Sequence, residues 1–180
     1  AQTAMDIVLG RGGDQAVIRQ NDIYKFFGGR AQEVEKRTKV KARVVAHALE
    51  NLIKESNKVM IMGHANPDID AMGSSIGIYR LARSLEKNAY IITSNTPTLQ
   101  SFKESLLEEP EYEDVLISKE VAEENIDEDT LLVIVDTHKI NYVESQEVLN
   151  KAKKIVIIDH HRRSADYIEN ATLTFQEVYA

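Results

Sequence analysis

From Lys58 onward, short apolar runs rich in Val and Ile alternate with segments of helical periodicity. The runs are KVMIM, NAYIIT, VLIS, TLLVIVDT and KKIVIIDHH, and the helical segments between them are DAMGSSIGIYRLARSLEK, TPTLQSFKESLLEE, KEVAEEN and NYVESQEVLNKA. Short continuous apolar runs are typical of parallel strands that helices cover on both faces. The pattern therefore predicts an α/β fold with an open, mostly parallel, doubly wound sheet and helices on both faces.

The residues before Lys58 are organised differently. Residues 30–57 contain a segment without Pro or Gly, with apolar residues at helical spacing and a basic first half, which predicts a long helical linker. The basic residues fit a solvated face, and contact with an acidic neighbouring domain or a nucleotide is the alternative. In residues 1–29, TAMDIVL indicates the end of a helix, RGGD a turn and QAVIRQNDIYKF two short strands. Because so short a piece cannot bury a core, we predict that it is a small α+β remnant of an upstream domain. The linker follows it, and a main domain occupies residues 58–180.

Composition excludes several classes of protein. The chain has no cysteine, which excludes disulfides and thiolate zinc sites. It shows neither a signal peptide nor the ~20-residue apolar stretch of a membrane span, so a soluble, cytoplasmic fragment is expected. The net charge of −7 divides into +3 for residues 1–57 and −10 for the remainder. An acidic domain is a poor binder of duplex nucleic acid, and any phosphate it handles would need metal ions for positive charge.

Four of the five histidines lie at the ends of three predicted strands. VMIM is followed by GHANPDID, LLVIV by DTHK and KIVII by DHHRR. Ligands bind beyond the carboxyl ends of the strands in such sheets, so these side chains are expected to share one crevice. A single Asp or His there could simply cap the next helix, but the joint pattern favours a metal or phosphoryl site.

Imidazole and carboxylate ligands without cysteine suit Mn²⁺, Mg²⁺ or Fe²⁺. The carboxylates exceed what one catalytic ion needs, and they are Asp68, Asp70, Asp136 and Asp159. Two ions bridged by a carboxylate would use them, activating water and stabilising a phosphoryl group under attack. The sequence contains no GxxxxGK phosphate loop. The predicted reaction is therefore hydrolysis of a phosphoester or phosphoanhydride.

HANPDIDAMGS, VDTHK and VIIDHHRR, in that order, resemble the successive motifs of the DHH phosphoesterase superfamily. The resemblance implies that His64 and Asp68 bind a first manganese ion and that Asp70 binds a second. It further implies that Asp136 bridges both ions and that His160 completes more of the second site. Mg²⁺ or another divalent ion remains an alternative to manganese.

By the same resemblance, His161 faces the substrate phosphate or the nucleophilic water, which makes His161 and Asp136 the implied catalytic residues. Asp159 is expected to orient a histidine through its second ring nitrogen, and His138 to lie outside the ligand set. Arg162 and Arg163 are candidates for phosphate contacts, with a solvated loop as an equal alternative. Asn66, Ser74 and Ser75 are expected to cap a helix, with phosphate contact as a secondary role.

LGRGGDQAVI followed by a basic helix and the DHH motifs is similar to the GdpP type of cyclic-di-AMP phosphodiesterase. This resemblance implies that residues 1–29 end a degenerate GGDEF-like domain. It also implies an upstream membrane anchor and PAS-type sensor, at the cytoplasmic side of the membrane. A further metal-binding aspartate and a DHH-associated substrate domain would follow Ala180, so we expect a truncated chain that can be inactive alone.

The implied reaction converts cyclic-di-AMP into 5′-pApA in second-messenger signalling, with cyclic-di-GMP as a poorer substrate. The implied partner is thus a cyclic dinucleotide, without membrane contact by this segment, and a homodimer is left open. Two rival functions remain. One is DHH-type hydrolysis of short oligonucleotides (pApA, nanoRNA) or pyrophosphate, and the other is a regulatory module that binds nucleotide without turnover.

Overall fold

The computed structural model of the protein describes residues 15–20, 23–28, 31–94, 96–112, 114–162 and 164–177. The chain divides into two compact units, Ala1–Val44 and Val45–Ala180. The predicted helix end TAMDIVL and the turn RGGD lie outside the described residues. Within the described ranges, none of the helices combines the length and the apolarity that a membrane span requires.

The first unit contains an antiparallel pair of strands. Strand β1 is Gln15–Gln20 and strand β2 is Ile23–Gly28, with Gln15 opposite Gly28 and Gln20 opposite Ile23. Helix α1, Ala31–Lys54, follows them and ends in the second unit. The two short strands and the long helix predicted from the sequence are therefore confirmed.

The second unit is built on a six-stranded sheet in which every pairing is parallel. Its strands are β3 Lys58–Met62, β4 Asn88–Ile92, β5 Leu116–Ile117, β6 Thr130–Val135, β7 Lys154–Asp159 and β8 Leu173–Gln176. The α-helices are α2 Ile69–Ser84, α3 Gln100–Leu107, α4 Lys119–Asn125 and α5 Gln146–Lys151, with 3₁₀ turns at Pro97–Leu99 and Pro110–Tyr112.

Alternate residues of the strands feed two separate apolar cores, one on each face of the sheet. On one face, Val59 and Ile61 pack with Leu49 of α1 and Tyr79 of α2. On the other face, the strand residues Met60, Met62 and Ile134 pack with residues of α4 and α5, namely Ala122, Val148 and Leu149. All six residues of β6 are buried, as its uninterrupted apolar sequence requires. The prediction of a parallel sheet with helices on both faces is confirmed.

The strand order β5-β4-β3-β6-β7-β8 reverses between β3 and β6. From β3 the chain builds outward through β4 and β5, and then it returns to the other side of β3 to build β6, β7 and β8. Beyond the carboxyl ends of the two strands at such a switch point, the connecting loops diverge and leave a crevice. The sheet order therefore places a ligand-binding position at the ends of β3 and β6.

Two elements differ from the sequence prediction. NYVESQEVLNKA is helical only over α5, because Ser145 caps that helix by accepting the Val148 N–H at 3.1 Å. The residues before the cap are held instead by the loop after β3, since Ala65 N–H donates to Tyr142 O and Glu144 N–H donates to Gly63 O. The second difference is β8, which the sequence analysis missed and which pairs with β7 over Leu173–Gln176.

Gly63 lies where the end of β3 approaches helix α2 most closely. A Cβ atom at Gly63 would lie 3.0 Å from the Cβ of Ala71, which is itself buried. A side chain here would push α2 away from the strand, because packed interiors leave no room to absorb it. Gly63 is therefore needed for close packing beside the first functional loop.

We expect Gly63→Val to lower the free energy of unfolding by about 1–3 kcal/mol, the usual cost of overpacking, measured by urea denaturation. Gly73→Ala is the matched control, since a Cβ at this helical glycine meets nothing within 4 Å. The control should raise stability by about 0.5–1 kcal/mol through helix propensity. Equal stability of the Gly63 variant and the wild type would contradict the close-packing role.

Candidate metal centre

Backbone hydrogen bonds tie together the three loops that follow β3, β6 and β7. Ala65 N–H donates to Tyr142 O at 2.6 Å, which joins the loop after β3 to the loop after β6. Ile168 N–H donates to His138 O at 2.9 Å, which joins the loop after β6 to the segment after β7. The histidine- and aspartate-bearing strand ends thus form one connected edge of the sheet, as the sequence predicted.

The first group of candidate metal ligands on this edge, called here the first ligand group, consists of His64, Asp68 and Asp136. His64 Nε2 lies 3.8 Å from Asp68 Oδ1 and 3.6 Å from Asp136 Oδ2. His64 Nδ1 lies 3.0 Å from Ala65 O, and a carbonyl can only accept, so Nδ1 carries the proton in this contact. The lone pair of Nε2 is therefore directed at the two carboxylates, which is the tautomer that a metal-binding histidine needs.

Asp68 belongs both to the site and to the start of helix α2. It is the N-cap of the helix, and its Oδ1 accepts the Ala71 N–H at 3.0 Å. This hydrogen bond, with the nearby His64, holds the pKa of Asp68 below its ordinary value. Asp68 therefore stays ionised at neutral pH, as a cation ligand must.

Asp136 lies at the centre of the site, directly after β6. It is 6% exposed, and its backbone φ is +58°, a left-handed conformation that non-glycine residues adopt infrequently. Its Oδ2 faces His64, while its Oδ1 lies 3.1 Å from His160 Nε2. Burial, together with the charge of Asp68, raises the pKa of Asp136, although the nearby histidines oppose the rise. One carboxylate thus lies beside two neighbouring groups of candidate ligands.

The second ligand group consists of Asp136, His160 and His161. His161 Nδ1 lies 3.8 Å from Asp136 Oδ1, and the two imidazole rings are 4.5 Å apart at an angle of 59°. Both histidines are about half exposed, whereas Asp136 is buried. The group is therefore open on its histidine side, where a substrate could enter.

Asp159 anchors two histidines from behind the site. Its Oδ1 lies 2.8 Å from His161 Nδ1 and also accepts the His161 N–H at 3.1 Å. Its Oδ2 pairs with Nδ1 of the buried His138, whose Nε2 accepts the Ser164 N–H at 3.0 Å. Burial acts to raise the pKa of Asp159, but these hydrogen bonds outweigh it and hold the pKa below its ordinary value. An ionised Asp159 fixes the orientation of the His161 ring.

Not every residue predicted for the site joins these groups. Among the described residues, the two groups do not include Asp70, which lies exposed in the first turn of α2. Helix α2 begins after its cap Asp68, so the expectation that Asn66, Ser74 and Ser75 cap this helix is wrong. Both serines lie within the helix, where Ser75 Oγ donates to Ala71 O.

The remaining predicted residues lie around the centre. Asn66 is exposed in the loop before α2 with φ of +56°, and Arg162 is exposed directly after the histidine pair. Arg163 lies outside the described residues. The structure adds Gln176 of β8, which the sequence analysis missed and whose Nε2 donates to His161 O at 2.7 Å. The alternation of Leu173 and Phe175 with polar residues was the available signal for that strand.

The two groups fit divalent cations by the chemistry of their donors. Each offers imidazole nitrogen and carboxylate oxygen, and the candidate ligand atoms within a group lie within 4.8 Å of one another. Buried, ionised Asp136 beside Asp68 is costly without a cation, because two like charges share a partly dehydrated space. His64, Asp68 and Asp136 would hold one ion, and Asp136 and His160, beside His161, would contribute to a second.

Replacing Asp136 should raise the stability of the metal-free protein and weaken metal binding. Its folded-state pKa lies above its unfolded value of about 3.9, so its ionisation destabilises the metal-free fold as the pH rises through the folded-state pKa. With chelator present at pH 7, Asp136→Asn should therefore unfold at higher urea than wild type, a difference that vanishes below about pH 4. Asn is chosen because it tolerates a positive φ.

Mn²⁺ at 100 times its dissociation constant should stabilise the wild type by about 2.7 kcal/mol, and Asp136→Asn by much less. Asp114→Asn, at an exposed position outside both groups, makes the same change of charge and should keep the full response. Equal stabilisation of the two variants by Mn²⁺ would exclude Asp136 as a ligand.

The family described as "DHH family, N-terminal domain" matches residues 58–180 of the chain. The chain is 46% identical over its whole length to the cyclic-di-AMP phosphodiesterase GdpP of Geobacillus thermodenitrificans, and 43% identical to the cyclic-di-AMP phosphodiesterase PdeA of Listeria monocytogenes. It spans 28% of the length of each of these two relatives.

A solved structure shares the fold. An exopolyphosphatase-related protein from Bacteroides fragilis superimposes with a TM-score of 0.60 at 22% identity, over 76% of this chain and 39% of that one. The family match covers well over half of the chain and contains all three strand-end motifs. The chain belongs to the DHH family.

Proposed function

We propose that the protein is a manganese-dependent phosphodiesterase that hydrolyses cyclic-di-AMP to 5′-pApA, with two metal ions activating the attacking water. The observation that carries the proposal is the division of the Asp136 carboxylate between two ligand groups. Similarity over the whole chain to proteins named cyclic-di-AMP phosphodiesterases supports the substrate. Because the chain spans 28% of those relatives, the activity is proposed for the full-length protein.

When bound, two divalent ions would lower the pKa of a water molecule and neutralise charge on the phosphoryl group. The acidic residues explain why cations are required, because ionised Asp68 and Asp136 alone would repel a phosphodiester anion. Asp136 would hold both ions, and His64, whose tautomer is fixed by Ala65 O, would offer Nε2 to the first.

His161 has a different role in the proposal. Asp159 takes its Nδ1 hydrogen bond, which leaves Nε2 as the nitrogen that can meet an incoming group. His161 is half exposed beside Asp136, so it can contact either the second ion or the phosphate. We assign His161 to the substrate phosphate or the nucleophilic water, and the exposed Arg162 to a contact with phosphate oxygens.

The same proposal covers the arrangement of the whole protein. We propose that residues 1–29 end a degenerate GGDEF-like domain, that residues 30–57 form a linker and that residues 58–180 form the catalytic subdomain. The described strands and helix of residues 15–54 are compatible with the first two parts. The proposed arrangement also includes an upstream membrane anchor. This segment would then work on the cytoplasmic side of the membrane.

The test is turnover of cyclic-di-AMP by the full-length protein with Mn²⁺, followed by chromatography of the product. His160→Gln should lower kcat at least about 100-fold, since residues that only orient a metal ligand already cost 10–100-fold. His47→Gln is the matched control, because His47 is an exposed histidine on α1 that pairs only weakly with Glu50 at 3.6 Å. It should leave kcat unchanged.

Two results would contradict the proposal. Much faster cleavage of pyrophosphate or short RNA than of cyclic-di-AMP would favour the other DHH-type hydrolases. Binding of cyclic-di-AMP without turnover, with any divalent ion, would favour a regulatory module.

A further inference from the structure

His138 and His161 contact different oxygens of the same carboxylate, that of Asp159. His161 Nδ1 lies 2.8 Å from Asp159 Oδ1, and His138 Nδ1 is hydrogen-bonded to Asp159 Oδ2. The Asp159 side chain is fully buried, and His138 is only 3% exposed. The orientation of the Asp159 carboxylate therefore depends on protein groups rather than on solvent.

Ser164 determines which nitrogen of His138 carries the ring proton. The Ser164 N–H can only donate, and it lies 3.0 Å from His138 Nε2, so this nitrogen accepts. Nδ1 then carries the proton and donates the hydrogen bond to Asp159 Oδ2. The backbone of His138 is held as well, because its carbonyl accepts the Ile168 N–H at 2.9 Å. His138 is thus a fixed donor directed at Asp159.

The carboxylate of Asp159 needs such a donor to hold its orientation. An aspartate carboxylate turns easily about its last side-chain bond, because that torsion has broad minima. In Asp159 both oxygens are hydrogen-bonded, which fixes the plane of the carboxylate and with it the ring of His161. Loss of the His138 donor would leave a buried charged oxygen without this partner, and the carboxylate would turn toward another.

We propose that His138 is a positioning residue for the hydrolysis, acting through Asp159 on His161. Its Nδ1–H holds the carboxylate in the plane that directs His161 Nε2 into the site. The inference rests on the proposed function, and it gives the loop after β6 a second task beside the placing of Asp136. A histidine that only filled the core would stabilise the fold without acting on His161.

Two substitutions divide the contacts of His138 between them. In His138→Gln, the longer side chain places its amide near the position of Nε2, so it can accept the Ser164 N–H but does not replace the Nδ1–H donor. In His138→Asn, the amide N–H takes the position of Nδ1 and can still donate to Asp159. Both variants are polar and uncharged, which makes each the control for the other.

The test is a double-mutant cycle in the full-length protein with Mn²⁺. His138→Gln should lower kcat/KM for cyclic-di-AMP about 10–100-fold, the usual cost of losing a group that orients a functional side chain. In a His161→Ala background, the same substitution should change kcat/KM by less than about twofold, because no ring is left to position. Equal losses in the two backgrounds would overturn the proposal.

Two further variants separate positioning from general stability. His138→Asn should keep most of the wild-type kcat/KM, and a loss as large as that of His138→Gln would overturn the proposal. Thr130→Val removes a buried hydroxyl at the other end of β6, where it donates to Asp127 Oδ1 at 2.7 Å. It should lower the urea midpoint of unfolding and leave kcat/KM unchanged. A loss of kcat/KM in Thr130→Val as large as that in His138→Gln would also overturn the proposal.

Binding of orthovanadate distinguishes failure of this inference from failure of the proposed function. Five-coordinate vanadate mimics a phosphoryl group under attack, and calorimetry measures its binding to the Mn²⁺ protein without turnover. His138→Gln should weaken this binding about 10-fold, but not in the His161→Ala background. If the wild type never hydrolyses cyclic-di-AMP yet shows this pattern, the positioning role stands and the proposed reaction fails. If the wild type hydrolyses it and His138→Gln changes neither kcat/KM nor vanadate binding, the reaction stands and the positioning role fails.

Discussion

The candidate site depends on the Asp136 carboxylate, which is buried at the switch point of the sheet with one oxygen toward each ligand group. The residue can hold this position because β6 is buried throughout and because its own N–H donates to Ile158 O of β7 at 2.9 Å. A positive φ then turns the chain sharply at the end of the strand. The surrounding packing offsets this strain, as is common at functional sites.

The electrostatics of the site follow from that position. Three carboxylates lie near one another, but their environments differ. Hydrogen bonds lower the pKa values of Asp68 and Asp159, whereas burial raises the pKa of Asp136. The fold therefore keeps two carboxylates ionised through hydrogen bonds, whereas the central one is buried and would be stabilised by cations. The metal-free state is therefore less stable, and ion binding would recover that stability.

Hydrogen bonds between the loops set the relative positions of the candidate ligands. Gly63, Ala65 and Glu144 connect the ends of β3 and β6, and the Glu144 carboxylate accepts the hydroxyl of Ser94 after β4. The backbone after these three strands is thus joined by contacts between loops.

The sequence by itself determined the parallel α/β class, the three strand ends and the residue types of the site. It could do so because uninterrupted Val- and Ile-rich runs specify buried parallel strands, whose carboxyl ends carry the ligand loops. Only the tertiary structure decided which side chains meet. Strand order brings β3 beside β6, the pairing of Tyr142–Glu144 with the loop after β3 shortens α5, and β8 supplies Gln176. These are contacts between residues distant in the chain, which local periodicity does not encode.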